Sequence, residues 1–572
     1  MAGPLAESMA AFGDSLIGGL NSLPEDQLPR IDPDAALLAL GPYNKFSLMI
    51  YFLTSLTVVF QGFTTMQMAF TSDLPPFTCA SPTAEYVEFD GSCNVRDVNT
   101  GLLHACGFND SKIHFQTEGF GETVISEFGL VCGRRWVSEL PSSLYMGGML
   151  VGALVLTQLS DRYGRRKLML IGSLGIFLTA IAPAAAPNWQ LFATLRFLNG
   201  FFNSGTGMVA WILCCESLPI GLRSYGTLLG GLCWSTGYLL TGAIAYYIRD
   251  WHHLTVALAL PILLSVVYYW TLPESLPWLV AHNRRQDINA WLANASKIAG
   301  VEVSYEGLLK AGKMQQQVAV HKKRFLIDIF RGNAALAVQT LLMAYIWVTT
   351  SLVYFALSLF STRLAGDKYV NYIMSGLVEL PACIVSPVLM NCIGRRPVSS
   401  MFLFLAGTAL LTLAFLPPEY AMANTGLNLL GKFAISTAFN AIFQFVAELF
   451  PTTVRTVGGG FCSMAARIGS IIAPYMGLLG SLNPSLPPGV FGVMSLLACA
   501  CALAMPETKG RSLPEDIHQA FVGPLMRLCY EAPAEKGMLG AEASQAALLS
   551  VNSVPSEASS DISTPPQPLS SL

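Results

Sequence analysis

The chain has 572 residues, 53% hydrophobic and only 12% charged, with a formal net charge of −3 at pH 7 and a mean hydropathy of +0.50. Soluble domains carry about 25% charged residues, so half that level over this length excludes a large soluble core and fits a polytopic membrane protein embedded in a lipid bilayer. So small a net charge gives no electrostatic basis for a nucleic-acid or acidic partner.

Residues 1–42 form an N-terminal segment, "MAGPLAESMAAFGDSLIGGL…", with no basic stretch ahead of an apolar one. The first true span is therefore expected to act as the insertion signal. Apolar runs of roughly the 20 residues needed to cross a bilayer then recur at 43–70, 141–160, 168–187, 189–214, 225–248, 254–273, 334–360, 369–392, 399–417, 424–447, 457–480 and 488–505. Two polar interruptions break the pattern: 71–140 after the first span, and 274–333 after the sixth. The result is two six-span halves, 43–273 and 334–505, the layout of a parallel-repeat transporter.

Orientation follows from Lys and Arg. "SDRYGRRK" joins spans two and three, Arg395 and Arg396 follow span eight, Arg455 precedes span eleven, and the 274–333 connection carries "NRRQD" and "VHKKRF". The positive-inside rule puts these connections and both termini in the cytoplasm and the 71–140 loop outside, with Arg134 and Arg135 a mild exception. That outside loop holds Cys79, Cys93, Cys106 and Cys132. Four cysteines on the oxidising side predict two disulfides, with three pairings open. Asn109-Asp110-Ser111 is a glycosylation sequon on the usable side, whereas the sequon at Asn294 is cytoplasmic and expected to stay bare. The tail from Pro506 starts with a short predicted helix and becomes Ser/Pro/Ala-rich from about 532, a composition that predicts disorder.

Enzyme chemistry is not visible. No GxxxxGK[ST], HExxH or GxSxG occurs, the seven His are scattered, and no motif implies a cofactor or a metal. Gly-rich "TVGGGF" opens a span, where close helix packing explains it.

The motif with mechanistic content is "SDRYGRRK". Asp161 ends span two, Gly164 permits a tight turn, and Arg162, Arg165 and Arg166 can grip carboxylates and helix C-termini. Such a clasp would hold one conformation of a two-state carrier shut and break in the other. A partial copy, "NCIGRRPV", places Arg395 and Arg396 at the matching point of the second half.

These residues resemble the major facilitator superfamily signature G-x-x-x-D-R-x-G-R-R, matched at Asp161, Arg162, Gly164, Arg165 and Arg166, with Thr157 replacing the leading Gly and Asn391 and Cys392 replacing the Asp and first Arg of the second copy. "ISEFGLVC" (125–132), "LPESLPWL" (272–279), "AELFPTTVRTVG" (447–458), "PETKGRSLPE" (506–515) and the Cys-bearing loop are similar to the organic cation, anion and zwitterion transporters of solute carrier family 22. The similarity spans nearly the whole chain. It implies an all-α membrane fold, the major facilitator fold, with twelve transmembrane helices in two halves and a structured extracellular loop. Leu276 and Pro277 stand where the family usually has Pro and Arg. Glu216 with Arg223, and Glu448 with Arg455, hold cognate places and are expected to complete the cytoplasmic charge network.

Arg467 lies inside the apolar stretch "FCSMAARIGSIIAPYMGLLG". A mid-span Arg costs about 2.5–3.5 kcal/mol on insertion scales, and at this depth it must face water, a solute or a carboxylate. Glu379, at similar depth in span eight, is the expected partner. Tyr354, Phe355 and Phe360 in span seven, with Phe439 and Phe443 in span ten, are expected to wall the cavity and suit flat or quaternary-ammonium solutes. The resemblance adds that the Glu of "VELPA" matches a position implicated in cation binding. Position 467 is usually Asp in cation carriers and Arg in the anion and carnitine branches. Cys383 replaces the Lys frequent in anion carriers. Lys432 is expected to pack at a helix end, and Arg196 to line the cavity or meet lipid headgroups. The glycines of span four and Pro474 would let helices bend or pack closely.

The expectation is an alternating-access carrier of a small organic cation or zwitterion in a plasma membrane, without cofactor and without catalysis. The alternatives are an organic anion carrier using Arg467 and Lys432, a transport-dead receptor and, more remotely, a membrane enzyme.

Overall fold

The computed structural model describes residues 31–41, 43–80, 87–89, 94–97, 103–105, 112–117, 120–219, 226–310, 326–417 and 419–511, with short pieces between 514 and 524. Among these residues, twelve long helices follow the apolar runs. The first six are α1 (Lys45–Met66, prolonged by Met68–Thr71), α2 (Arg135–Tyr163), α3 (Arg165–Ile181), α4 (Trp189–Ser217), α5 (Gly226–Tyr247) and α6 (Trp251–Ala259, prolonged through Thr271). The second six are α7 (Ala334–Leu359), α8 (Lys368–Leu377 and Glu379–Ile393), α9 (Arg395–Phe415), α10 (Ala421–Leu449), α11 (Arg455–Ile472, prolonged through Leu482) and α12 (Leu486–Ala504).

Eleven are long and apolar enough to cross a membrane. α4 falls short in apolarity because it carries Arg196, Asn199 and Asn203, all at most 1% exposed and turned into the protein. α2 starts at Arg135 rather than near residue 141, because Ser138, Glu139 and Ser142, which depress its hydropathy, are buried against other helices.

Prolines set the irregular points. Pro261 starts the tighter 3-10 continuation of α6 and Pro474 that of α11, since each lacks an amide donor and crowds the preceding turn. Pro381 would crowd the carbonyl four residues back, and α8 is interrupted at Val378, which leaves Glu379 at the interruption.

α1 packs on α4 and α5, and α2 and α3 on α4, in the first half; α7 packs on α11 and α12, and α9 on α10 and α12, in the second. α2 and α4 cross so closely that a side chain on Gly152 would collide with the backbone carbonyl of Phe201. The halves meet through α2 with α11 and α5 with α8. One face of the bundle carries the 72–134 loop and is called the loop face. The opposite, terminal face carries the 272–333 connection and the start of the tail.

The loop adds β-structure to the helical fold. β1 (Phe77–Ala80) pairs antiparallel with the later strand Lys112–Phe115, and β2 (Val87–Phe89), β3 (Asn94–Asp97) and β4 (Leu103–Ala105) form a second antiparallel sheet. A short helix, Val124–Phe128, starts with a Thr123–Ser126 capping box and ends on left-handed Gly129. Its apolar residues join Phe192 and Trp251 in a small core, and Trp251 Nε1 donates to Glu127 Oε2 at 2.7 Å. Cys132 is disulfide-bonded. The side chain of Cys79, and Cys93, Cys106 and Asn109 entirely, lie outside the described residues.

On the terminal face, Trp278 and Trp291 from the central connection are buried in one cluster with Phe46 of α1. Among the described residues of the tail, Ile517–Gln519 forms a 3-10 turn. It is held by Gln339 Nε2 donating to the Phe521 carbonyl at 2.7 Å and Asn333 Nδ2 to that of Ile517 at 3.2 Å. The stretch from 525 onward, including the Ser/Pro-rich end, lies outside the described residues.

Candidate functional site

Glu379 is 3% exposed, and its Oε1 lies 2.7 Å from Lys432 Nζ on α10. The Lys432 ammonium, itself 0% exposed, donates to Ser358 Oγ at 2.5 Å. It stands 3.5 Å above the Tyr354 ring and 5.6 Å from that of Tyr238. The pair is a close ion contact lying over the Tyr354 ring face. Tyr354 Oη accepts from Trp234 Nε1 at 2.6 Å, which ties this locus on α7 to α5 of the other half.

This corrects two expectations. Lys432 does not merely pack at a helix end, and the partner of Glu379 is Lys432, not Arg467. α8 and α10 approach one another directly, a tertiary fact that outweighs matching depth.

Arg467 is partly buried and reaches across to the first half, where Nη2 donates to Ser204 Oγ at 3.4 Å and Nη1 to Met149 Sδ at 3.8 Å. It makes no ion pair among the described residues. Nearby, Ser143 Oγ of α2 donates to the Ile471 carbonyl of α11 at 2.7 Å. Arg196 meets neither lipid nor open space. It is 1% exposed, lies 4.4 Å over the Tyr145 ring and donates to the Thr64 carbonyl at 3.1 Å. Asn203 joins the same cluster through Thr64 and through Tyr145 Oη at 2.6 Å. The polar run in α4 is the signal that points to this cluster.

The aromatic residues form a chain between α7 and α10. Ring centroids lie 5.5 Å apart for Tyr354–Phe439, 5.2 Å for Phe439–Phe443 and 4.6 Å for Phe443–Trp347. Trp347 was not among the expected residues, although it lies one helical repeat from Tyr354. Phe355 packs edge-on to Tyr354 at 5.2 Å. Phe360 leaves the group: it sits at the loop-face end of α7 under Arg363, 4.6 Å from its ring.

On the terminal face each half holds its own clasp. In the first half Arg165 binds Asp161 and reaches Glu216 at 3.2 Å. The backbone amides of Arg165 and Arg166 donate to Glu274 Oε1 at 2.7 and 3.1 Å. Ser275 Oγ donates to Glu216 at 2.6 Å. In the second half Arg395 reaches Glu448 at 2.8 Å, and the amides of Arg395 and Arg396 each donate to Glu507 at 3.0 Å. Thr508 Oγ1 donates to Glu448 at 2.7 Å. Glu274 and Glu507 went unpredicted as clasp members, yet the repeated "PES" and "PET" at matching places carry the signal.

Three expected members stand differently. Arg162 is exposed, with its guanidinium 5.5 Å from the Tyr163 ring. Arg455 donates to the Phe450 carbonyl at 3.3 Å rather than bridging to Glu448. Arg223 lies outside the described residues. Arg162 points to solvent because its neighbour Arg165 takes the inward position after the turn.

At the loop face the halves are joined. Lys368 Nζ lies 3.4 Å from Asp73 Oδ2, and Arg363 Nη2 3.4 Å from Glu139 Oε1. Phe70 stacks on Tyr369 at 5.6 Å, and Tyr238 on Tyr372 at 4.4 Å. Burial raises the Asp73 carboxyl above the usual carboxylate range, against the opposing pull of Lys368 and Arg363. With both ion pairs and the stacked rings spanning the halves, the loop face is closed.

The major facilitator superfamily profile matches residues 137–474. Solute carrier family 22 member 4 of Mus musculus is 32% identical over 524 residues, covering 85% of this chain and 94% of its own. The organic cation/carnitine transporter 2 of Homo sapiens is 30% identical over 526 residues, with the same coverage, and the organic cation transporter protein of Drosophila melanogaster 30% identical over 513 residues, covering 85% and 93%. Among solved structures, the inward open conformation of the xylose transporter XylE from E. coli aligns with a TM-score of 0.57 over 82% of this chain and 98% of its own; at 14% identity it supports the fold alone.

Proposed function

Because this chain belongs to solute carrier family 22 of the major facilitator superfamily, we propose that it moves small organic cations or zwitterions across a plasma membrane, with both termini and the terminal face in the cytoplasm. The chain is a multi-pass membrane transporter of the alternating-access type and not an enzyme. Two relatives carry names that specify organic cations, one of them with carnitine, and the charge pattern at mid-depth supports the same class here.

Glu379 is the anchor for a solute ammonium, beside the rings of Tyr354, Phe439 and Phe443. Arg467 is the anchor for a carboxylate or other anion. The observation that carries this reading is that Arg467 stands at mid-membrane without an acid among the described residues, a placement that costs about 2.5–3.5 kcal/mol and persists where a function uses it. The two clasps, with Asp161, Gly164, Arg165, Glu216, Arg395 and Glu448, are the cytoplasmic gate. The closed loop face makes this an outward-closed state. Cys79, Cys93, Cys106 and Cys132 would then stabilise the extracellular loop as two disulfides, and Asn109 would carry a glycan.

The test is radiotracer uptake into vesicles holding the purified protein, with and without sodium, for tetraethylammonium, carnitine and para-aminohippurate. Saturable uptake of carnitine or tetraethylammonium supports the reading. Uptake of para-aminohippurate alone would transfer the chain to organic anions.

A further inference from the structure

Lys432 holds the Glu379 carboxylate that the proposed function gives to a solute ammonium. The Glu379 carboxylate, the Tyr354 face and Ser358 Oγ together form a receptor for an ammonium group, and the ammonium already in it is the protein's own. We propose that Lys432 is a tethered competitor that excludes simple organic cations and admits zwitterions, by exchanging one internal ion pair for two pairs with the solute. This rests on the reading of Glu379 as the ammonium anchor.

Charge balance in a buried place carries the inference. Glu379 is 3% and Lys432 0% exposed, and a buried charge separated from its partner is strongly destabilising. A simple cation that takes Glu379 would turn the Lys432 ammonium loose with no acid among the described residues to receive it. A simple anion drawn to Lys432 would strand Glu379 in the same way. A zwitterion alone leaves neither residue bare: its ammonium meets Glu379, and its carboxylate is shared between Lys432 and the Arg467 anchor.

Two further observations favour exchange over a fixed structural bridge. The contact of Glu379 Oε1 with Lys432 Nζ is an ion pair, so a solute ammonium that takes the lysine's place re-forms the same contact. The side chain of Lys432 is long and unbranched, and its ammonium is set by one hydroxyl and one ring face, contacts it can leave without unfolding a helix. Cys383, one turn beyond Glu379, contributes no charge to replace either partner; its Sγ accepts from Asn440 Nδ2 at 3.7 Å.

The test has two arms. In the first, the unmodified protein is titrated with carnitine and with carnitine methyl ester, which keeps the quaternary ammonium but loses the carboxylate, and binding is read as inhibition of carnitine uptake. The proposal expects the ester to inhibit at least tenfold more weakly; equal inhibition overturns it. In the second, Lys432→Met is compared with Lys432→Arg for uptake of carnitine and tetraethylammonium, normalised to purified protein of confirmed melting behaviour. Lys432→Met should raise the tetraethylammonium-to-carnitine ratio at least tenfold, and Lys432→Arg should leave it within about threefold. An unchanged ratio in Lys432→Met overturns the proposal while leaving the assignment of Glu379 intact. A wild-type protein that moves only para-aminohippurate removes both, so the two failures are told apart.

Discussion

Glu274 and Glu507 hold equivalent places in the two halves: each carboxylate accepts the first backbone amides of a helix, α3 at Arg165 and Arg166 for one, α9 at Arg395 and Arg396 for the other. A helix N-terminus presents unsatisfied amides and a partial positive charge, so a carboxylate from a distant segment serves as its cap. In the first half that segment is the link leaving α6, in the second the link leaving α12. The terminal face is thereby stitched twice by the same device, even though the second copy has Asn391 where the first has Asp161.

Neutralising either carboxylate should loosen the clasp it belongs to. Charge-assisted hydrogen bonds contribute about 1.5–3 kcal/mol. Glu274→Gln and Glu507→Gln are each expected to lower the apparent melting temperature of purified protein in differential scanning fluorimetry. They should also raise the reactivity of Cys392, which is exposed at the terminal face, in Glu507→Gln more than in Glu274→Gln. Equal melting curves for wild type and both variants would assign these contacts no weight.

The turns that admit those carboxylates need glycine. Gly164 has φ +105° and Gly394 φ +104°, and a Cβ would stand 2.5 Å from Glu274 Oε2 in the first and 2.7 Å from Glu507 Oε2 in the second. The left-handed backbone costs a non-glycine residue about 1–3 kcal/mol, with the displaced carboxylate adding to it. Gly164→Ala and Gly394→Ala should each reduce the yield of folded, monodisperse protein on size exclusion more than Gly129→Ala, where a Cβ meets nothing within 4 Å.

Much of this architecture is legible in the sequence. Apolar runs marked all twelve spans, although α4, whose Arg196, Asn199 and Asn203 turn inward, falls short of the other eleven in apolarity. The repeated turn motif marked both clasps. The pairing of Glu379 with Lys432 was not legible, because depth along a helix says nothing about which face meets which neighbour. Arg467 illustrates the same limit: its position in the span was evident, but its contacts lie on α2 and α4 of the other half. The loop's β-sheets were hidden by short strands among polar residues.

Arg467 gives a direct prediction. Arg467→Met keeps an unbranched apolar stem but removes the mid-membrane positive charge. Uptake of carboxylate-bearing solutes should fall at least tenfold in kcat/KM, about 1.4 kcal/mol in transition-state terms. In a Lys432→Met background, which admits simple cations, tetraethylammonium uptake should change by no more than about threefold on the same substitution. Parallel losses for both solutes would assign Arg467 a general structural role instead.

The loop face should respond to pH through Asp73. Lys368 and Arg363 face its carboxylate, Arg249 and Asp367 line the same recess of 540 Å³, and burial outweighs these charges to raise its pKa. Opening the loop face returns Asp73 to water and to the ordinary Asp range near about 4. A raised pKa in the closed state means the closed state binds the proton more readily. Acidification from the raised value down to the ordinary one therefore favours closure, and that contribution is lost as pH rises through the raised value. Accessibility of a cysteine introduced at Thr362 to a charged thiol reagent should fall as the outside is acidified, and Asp73→Asn, fixed in the uncharged form, should abolish that part of the response.

The central claim is that a buried carboxylate in the second half carries the solute's positive charge. Carnitine uptake by Glu379→Gln in reconstituted vesicles, matched to wild type for protein amount and melting behaviour, tests it most directly. A fall of tenfold or more, with para-aminohippurate uptake spared or increased, is the predicted result. Carnitine uptake at the wild-type rate would contradict it.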